Sequence, residues 1–248
     1  MATRFLIVQA EHEGILARVQ NRLAKVQMHR EVPEVPGVAA FSNQPIITAR
    51  TGTLTLNVLG ELFDRHTYRG VAALTLGNLH TSSDAPIQHL LAEFWGSYVA
   101  LTRTTDGEAR IFRDPSGALP CYLVCAGPIT AAASDIGVLV AAGLLDPVID
   151  WRIVDHQFRY PNQRLVGTAF EGVVELLPGF AYKLRDDIHN QTPIWSPGYF
   201  AARATADADR PRALRETIDR TVSALARSRK PIVGISGGLD SSSPETPG

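Results

Sequence analysis

One segment of the chain reads Pro231-Ile232-Val233-Gly234-Ile235-Ser236-Gly237-Gly238-Leu239-Asp240-Ser241-Ser242. Its first five residues are mostly apolar and predict a short buried strand, as in the core of a parallel sheet. The two adjacent glycines then let the backbone turn tightly and bring its N–H groups against phosphate oxygens, and the serine hydroxyls add donors. A helix beginning just after the loop would direct its positive end at the same anion. The segment therefore predicts a phosphate-binding loop.

Asp240 indicates a phosphate site that also binds a metal ion. Its carboxylate cannot bind phosphate directly, but it suits a Mg²⁺ ion that bridges to departing pyrophosphate. The alternative is a plain Gly-rich turn between strand and helix, with Asp240 or Ser241 as N-cap. The full run instead resembles the pyrophosphate loop of the ATP pyrophosphatases, which adenylate a carboxyl group and pass it to an amine. That resemblance implies ATP and Mg²⁺ as cofactors, with Asp240 contacting Mg²⁺ indirectly. The implied ATP-binding residues are Ser236, Gly237, Gly238, Leu239, Asp240, Ser241 and Ser242.

A change in composition separates this segment from the rest of the chain. The segment Trp195-Ser196-Pro197-Gly198 is turn material, and Ala201–Asp209 is small and polar. Apolar residues then recur every three to four positions and predict a helix with one apolar stripe, formed by Leu214, Ile218, Val222 and Leu225. We therefore predict a domain over residues 1–193, a linker over 194–210 and the start of a second domain over 211–248.

The first of these domains has the pattern of strands with a few helices between them. Strands are predicted at Arg4–Val8, Thr53–Val58, Ser97–Thr102, Ala109–Phe112 and Pro120–Val124. The turn Thr105-Asp106-Gly107 predicts a hairpin, because Gly tolerates the positive φ that such turns require. Helices are predicted at Asp84–Phe94, Asp135–Ala142 and Asp150–Tyr160, with Ser134 as N-cap of the second. The predicted fold class is mixed α/β.

Short motifs follow one another along this domain in a definite order. They are Gly60-Glu61-Leu62-Phe63, Arg113-Asp114-Pro115-Ser116-Gly117, Ala133-Ser134-Asp135-Ile136, Val174-Glu175-Leu176-Leu177-Pro178-Gly179 and Trp195-Ser196-Pro197. With the Ser-Gly-Gly loop, the series resembles the asparagine synthetase family over nearly the whole chain. The resemblance implies a glutamine-amidotransferase-like αββα sandwich of the Ntn-hydrolase type, followed by the truncated start of a Rossmann-like ATP-pyrophosphatase domain. Read alone, each motif is a turn or a piece of core or interface.

Residues that the family uses to hydrolyse glutamine are replaced here. Glutamine-using members carry a nucleophilic Cys directly after the initiator Met, and the α-amine of that Cys can act as its base. In this sequence Ala2 stands at that position. The family's Asn-Gly-Glu appears as Leu59-Gly60-Glu61, and Leu59 has no polar group to offer an oxyanion. We therefore expect no glutaminase activity and no catalytic residue in this domain.

A branch of the family shares this loss and uses an amine already present in its substrate. It comprises the β-lactam synthetases and the macrolactam synthetases, or cyclases, of lasso peptides. The runs Leu62-Phe63-Asp64-Arg65 and Arg113 to Tyr122 look most like lasso peptide cyclases. This resemblance implies ATP-dependent amide formation on a precursor peptide, or on a small amine or carboxylate, with a leader peptidase as a further partner.

Two other interpretations stay open. One is a glutamine-hydrolysing asparagine synthetase. Ala2 and Leu59 argue against it, because they provide neither the nucleophile nor a polar group for the oxyanion. The other is a non-catalytic binding or assembly module built on a degenerate sandwich. A precursor-peptide gene and a leader-peptidase gene beside the coding sequence would favour the lasso peptide interpretation.

After Ser242 the family continues into an apolar helix, whereas this chain reads Ser243-Pro244-Glu245-Thr246-Pro247-Gly248. Two prolines and no apolar residue cannot build that helix. We expect a truncated or frame-shifted chain, in which the loop is not a working ATP site because the strand Ile232–Ile235 lacks parallel neighbours. The DNA beyond the Gly248 codon would decide this.

Charge and composition exclude several classes of protein. A net charge of −1 creates no field that would draw the chain onto nucleic acid or an anionic membrane. The most apolar late stretch, Ile129 to Leu145, falls short of the ~20 residues that span a bilayer. Cys121 and Cys125 would lie roughly 13 Å apart on one strand, beyond disulfide reach, so we expect two buried core thiols. We expect a cytoplasmic protein.

Overall fold

The computed structural model describes residues 3–31, 37–76, 84–163, 165–201 and 210–227. The chain divides into two units, one formed by residues 1–66 and 70–204 and the other by residues 67–69 and 205–248. The predicted strand Pro231–Ile235 and the Ser-Gly-Gly loop lie outside the described residues, as does Ala2.

Two six-stranded sheets, in which every described strand pair is antiparallel, make up most of the first unit. The first sheet contains β1 (Phe5–Gln9), β2 (His29–Glu31), β3 (Val38–Ser42), β8 (Tyr122–Ala126), β9 (Ile129–Ala133) and β10 (Val173–Glu175), in the order β10-β8-β9-β1-β3-β2. The second contains β4 (Ile47–Arg50), β5 (Leu54–Asp64), β6 (Phe94–Thr104), β7 (Ala109–Arg113), β11 (Phe180–Lys183) and β12 (Gln191–Pro193), in the order β12-β11-β7-β6-β5-β4.

Helices of the first unit flank the sheets or connect their strands, and one described helix belongs to the second unit. They are α1 (Glu13–Leu23), α2 (Ala85–Glu93), α3 (Ile136–Ala142), α4 (Trp151–Arg159), α5 (Gly198–Ala201) and α6 (Arg210–Ala226). The last of these belongs to the second unit and carries the predicted apolar stripe; Leu214, Ile218, Val222 and Leu225 are each exposed by 41% to 62%. No helix among the described residues is long and apolar enough to cross a bilayer.

Alternate side chains of β1 show how the layers stack. Phe5 and Ile7 belong to a core that also contains residues of the second sheet, such as Leu59. Their neighbours Leu6 and Val8 pack in a separate core with residues of α1 and α3. A third core joins the second sheet to α2. Because a sheet residue faces one side or the other in turn, these three cores define the order helix, sheet, sheet, helix.

Several element predictions are confirmed, with shifted ends. The hairpin at Thr105-Asp106-Gly107 joins β6 to β7, and Gly107 has φ +92°. α4 begins after Asp150, whose side chain accepts the N–H of Arg152. The prediction that Ser134 caps α3 is wrong. Asp135 is the N-cap and accepts the N–H of Val138, while the hydroxyl of Ser134 accepts the buried N–H of Phe5.

Candidate functional site

The residues that the sequence singles out for ATP, from Ser236 to Ser242, lie outside the described residues, so their geometry stays a prediction. The same holds for Asp240 as an indirect Mg²⁺ ligand. Within the described part of the chain, no three His, Cys, Asp or Glu side chains are grouped so that they could hold a metal ion.

A cavity of about 250 Å³ lies at the beginning of β1, beside the Gly60-Glu61 motif. The loop before β4 and the middle of β5 form its other walls. Its lining includes the polar residues Thr3, Gln44 and Glu61 and the apolar residues Ile46, Ile47 and Val71. The cavity can therefore hold a small ligand that presents both apolar and hydrogen-bonding groups.

Leu59 precedes this motif on β5 but does not line the cavity. Its side chain is fully buried in the core between the sheets, together with Val99 and Leu101 of β6. An apolar side chain in this core has no polar group to contribute, and a polar one would be costly to bury there. The structure thus gives Leu59 a packing role.

Gly60 has a backbone reason to be glycine. Its φ is +114°, and a Cβ at this position would collide with the carbonyl oxygen of Ser97 on the paired strand β6. Only glycine adopts this conformation without strain. β5 is buried from Leu54 to Leu59, and beyond Gly60 only Leu62 of this strand is buried.

Neither cysteine provides a nucleophile to this cavity. Cys121 lies in the core between the sheets, where burial raises the pKa of its thiol to about 12, so that the thiolate is disfavoured. Cys125 lies on β8 and is exposed, which corrects the prediction that both thiols are buried. Both are free, and neither lines the cavity.

Arg113 joins two of the sequence motifs. Its side chain is 3% exposed and forms an ion pair with Glu175, with 2.7 Å between Nη1 and Oε1. The same guanidinium donates to three backbone carbonyl oxygens, those of Gly117, Leu119 and Leu176. Arginine suits this place because its planar fork carries five N–H donors. The guanidinium therefore ties the Arg113–Gly117 loop to β10 and the residue after it.

Asp114 fixes the same loop to β6. One carboxylate oxygen accepts the N–H of Tyr98 at 3.1 Å, and the other accepts the N–H of Ser116 at 2.8 Å. The residue is 1% exposed. Burial raises the pKa of its carboxyl, and the hydrogen bonds from Ser116 and Tyr98 oppose that shift. Its geometry is that of a loop clamp.

Gly179 brings the Trp195-Ser196-Pro197 motif to this corner. Its carbonyl oxygen accepts the N–H groups of Ile194 and Trp195, and its own N–H donates to the carbonyl oxygen of Arg113. With φ +77°, a Cβ here would lie 2.8 Å from the carbonyl oxygen of Trp195. Three motifs that are far apart in sequence thus form one hydrogen-bonded corner, with a structural role for each.

A second opening borders this corner, and no motif in the sequence predicted it. It is a cleft of about 210 Å³ that Trp95, Trp195, Phe94, Tyr98, Asp114 and Arg65 line in part. We call it the two-tryptophan cleft. Its two indoles are one hundred positions apart in the sequence, and no local pattern relates them.

Comparison with known proteins gives no family assignment. No family model matches the chain, and no curated protein matches it. Among solved structures, the allosteric regulatory enzyme of purine biosynthesis matches with TM-score 0.44 and 13% identity, over 77% of this chain and 48% of that one. Glutamine phosphoribosylpyrophosphate amidotransferase from B. subtilis, in complex with ADP and GMP, matches with TM-score 0.42 and 15% identity over the same shares. The chain spans about half the length of either structure.

Proposed function

We propose that this chain is the N-terminal part of an ATP-dependent amide-forming enzyme whose sandwich domain does not hydrolyse glutamine. The observation that carries the proposal is the replacement at the Leu59-Gly60-Glu61 motif. Leu59 is buried in the inter-sheet core, and neither Cys121 nor Cys125 is among the described residues that line the adjacent cavity. Without a nucleophile and a donor for the oxyanion, ammonia release from glutamine has no support.

The amine would then come from the substrate itself. A carboxylate of the substrate attacks the α-phosphate of ATP, and pyrophosphate leaves. The substrate's amine next attacks the acyl-adenylate, AMP leaves, and the amine loses a proton. A precursor peptide whose N-terminal amine attacks its own Asp or Glu side chain gives a macrolactam, the product of lasso peptide cyclisation. The Ser236–Ser242 sequence supports the ATP step, with Asp240 acting through Mg²⁺.

The glutamine half of this proposal is tested on the chain of residues 1–248, and the ATP half on a protein that carries the whole synthetase domain. With glutamine, ammonia release should not exceed that of a heat-killed control, and Ala2→Cys alone should not restore it, because Leu59 still leaves the oxyanion unsupported. With Mg-ATP and a linear precursor peptide, pyrophosphate should form and the peptide should lose one water. Asp240→Ala should abolish that loss.

Two results would contradict the proposal. Glutamine turnover above the control would return the protein to the glutamine-hydrolysing class. Pyrophosphate release that requires ammonium instead of a peptide amine would show that the amine is not built into the substrate.

A further inference from the structure

The two-tryptophan cleft is separate from the cavity at the beginning of β1, with which it shares no lining residue. It contains two of the three tryptophans of the sequence. The third, Trp151, is 70% exposed on α4 and does not line the cleft. Aromatic side chains concentrated around one opening are typical of sites that bind an apolar ring.

The walls of the cleft are fixed by contacts within the protein. The Trp95 ring stacks on Phe63, with 4.5 Å between centroids and 16° between planes. The backbone of Trp195 is held by its hydrogen bond to the carbonyl oxygen of Gly179. On the side of Ser116, the hydroxyl donates to the carbonyl oxygen of Gly96 at 3.1 Å. Because these contacts do not depend on a ligand, the opening is formed in advance, which reduces the entropy lost on binding.

The charges around the cleft favour an anion. Arg65 is exposed, and its Nη2 donates to the carbonyl oxygen of Leu91 at 3.0 Å. No carboxylate in the described part of the chain forms an ion pair with this guanidinium. Asp114, the acidic residue of the lining, has both oxygens occupied by backbone N–H groups and is 1% exposed. The charge open to a ligand is therefore that of Arg65.

We propose that the two-tryptophan cleft binds a single aromatic ring that carries a carboxylate, with the ring against Trp95 and Trp195 and the carboxylate on Arg65. A volume of about 210 Å³ holds one ring and a few further atoms. An arginine fork matches a carboxylate with two parallel hydrogen bonds. Such a ligand could be a free aryl acid or the C-terminal aromatic residue of a peptide, which share this chemistry. The proposal is independent of the amide-forming reaction.

The main alternative ligand is an aryl amine, which carries the opposite charge. Indole faces attract cations, and Asp114 lies at the cleft, so an aryl amine would also find favourable groups there. Arg65 opposes a cation. A series of ligands that differ only in charge therefore distinguishes the two outcomes.

The experiment uses the Trp151→Phe protein, in which tryptophan fluorescence comes only from Trp95 and Trp195. Phenylacetate, phenylacetamide and phenethylamine are titrated in turn, since none of them contains an indole. We expect phenylacetate to change the fluorescence with a Kd of about 1 mM, as suits a ligand of so few atoms. The amide should bind roughly five-fold more weakly, because it lacks the charge.

Arg65→Leu should remove the preference for phenylacetate over phenylacetamide and leave binding of the amide unchanged. Arg18→Leu is the matched control, since Arg18 is exposed on α1 and does not line the cleft. Its titrations should match those of the parent. Both substitutions are at exposed positions, so the variants should fold.

The tripeptide Gly-Gly-Phe and its C-terminal amide complete the series. Binding of the free acid at the strength of phenylacetate identifies a peptide C-terminus as a ligand, and its failure to bind restricts the site to free aryl acids. Tighter binding of phenethylamine than of phenylacetate would overturn the proposal. So would the absence of any response up to roughly 10 mM, a concentration well above the Kd expected for a ligand of this size.

Discussion

The buried guanidinium of Arg113 serves three backbone carbonyls and one carboxylate, so its removal should cost more than a single hydrogen bond. Arg113→Met should lower the free energy of unfolding by about 3–5 kcal/mol, because Glu175 would keep a partly buried charge without its partner. Urea denaturation measures the loss. The double variant Arg113→Met/Glu175→Gln should be less destabilised than Arg113→Met alone.

The matched control for this loss is Arg18→Met on α1, where the side chain is exposed and the change should stay within about 0.5 kcal/mol. If Arg113→Met costs less than about 1 kcal/mol, the ion pair behaves as a solvated surface pair. The guanidinium would then not be what holds the Arg113–Gly117 loop against β10.

The two cysteines should differ in reactivity. A disulfide reagent at neutral pH should label Cys125 in the folded protein and spare Cys121, whose thiol is 0% exposed and has a pKa raised to about 12 by burial. Both thiols should react in denaturant. Peptide mapping of the labelled protein checks the assignment, and labelling of Cys121 at the rate of Cys125 without denaturant would contradict the burial.

Single residues also show where sequence reasoning stops. The glycine at position 60 and the turn at Asp106-Gly107 carry local signals that the structure explains through positive φ. The exposure of Cys125 carries no such signal. Cys125 has the same strand parity as the buried Cys121 and Leu123, and it is exposed because it lies near the end of β8, next to the hairpin that leads to β9.

At the scale of elements, the capping of α3 gives a direct test. Asp135→Ala should cost about 1 kcal/mol of stability, because the N–H of Val138 loses its side-chain acceptor and keeps only the longer bond to the backbone carbonyl of residue 135. Asp135→Asn should retain most of that stability, since Asn is an equally good N-cap. Hydrogen exchange should speed up at the Val138 amide in the Ala variant.

Ser134→Ala is the comparison for this test, because its hydroxyl accepts the N–H of Phe5. In that variant the faster exchange should appear at the Phe5 amide. Equal effects of both Ala variants on the first turn of α3 would mean that Ser134 shares the capping role.

Elements were predictable where local periodicity is strong and not where tertiary packing decides. The strand predicted at Thr53–Val58 is the first half of β5. The second half reads Leu59-Gly60-Glu61-Leu62-Phe63-Asp64, in which polar and apolar residues do not alternate, so a period-two pattern misses it. The strand β9 contains three consecutive alanines, which are weak strand formers, and gains its place from burial against β1 and β8.

At the scale of the molecule, the pattern of the sequence predicted the mixed α/β class and the family resemblance implied the layer order, whereas neither predicted the clefts. The two-tryptophan cleft needs Trp95 from the start of β6 and Trp195 after β12, and only the completed sheet brings them to one opening. The Arg113 corner likewise joins motifs whose order along the chain says nothing of their contact.

Limited proteolysis should cut the chain first between Gly198 and Asp209. Up to Trp195 the backbone is held by β12 and by hydrogen bonds to Gly179, whereas Ala201–Asp209 is small and polar in sequence and leaves little to bury. Trypsin should cleave after Arg203, and chymotrypsin after Tyr199, which is 60% exposed. Mass spectrometry of the resistant fragments locates both sites.

Arg203→Gln should remove the first tryptic cut and leave the chymotryptic one unchanged. First cleavage within Thr53–Thr102 would contradict this order, because that segment contains β5 and most of β6, which pair along their length in the second sheet.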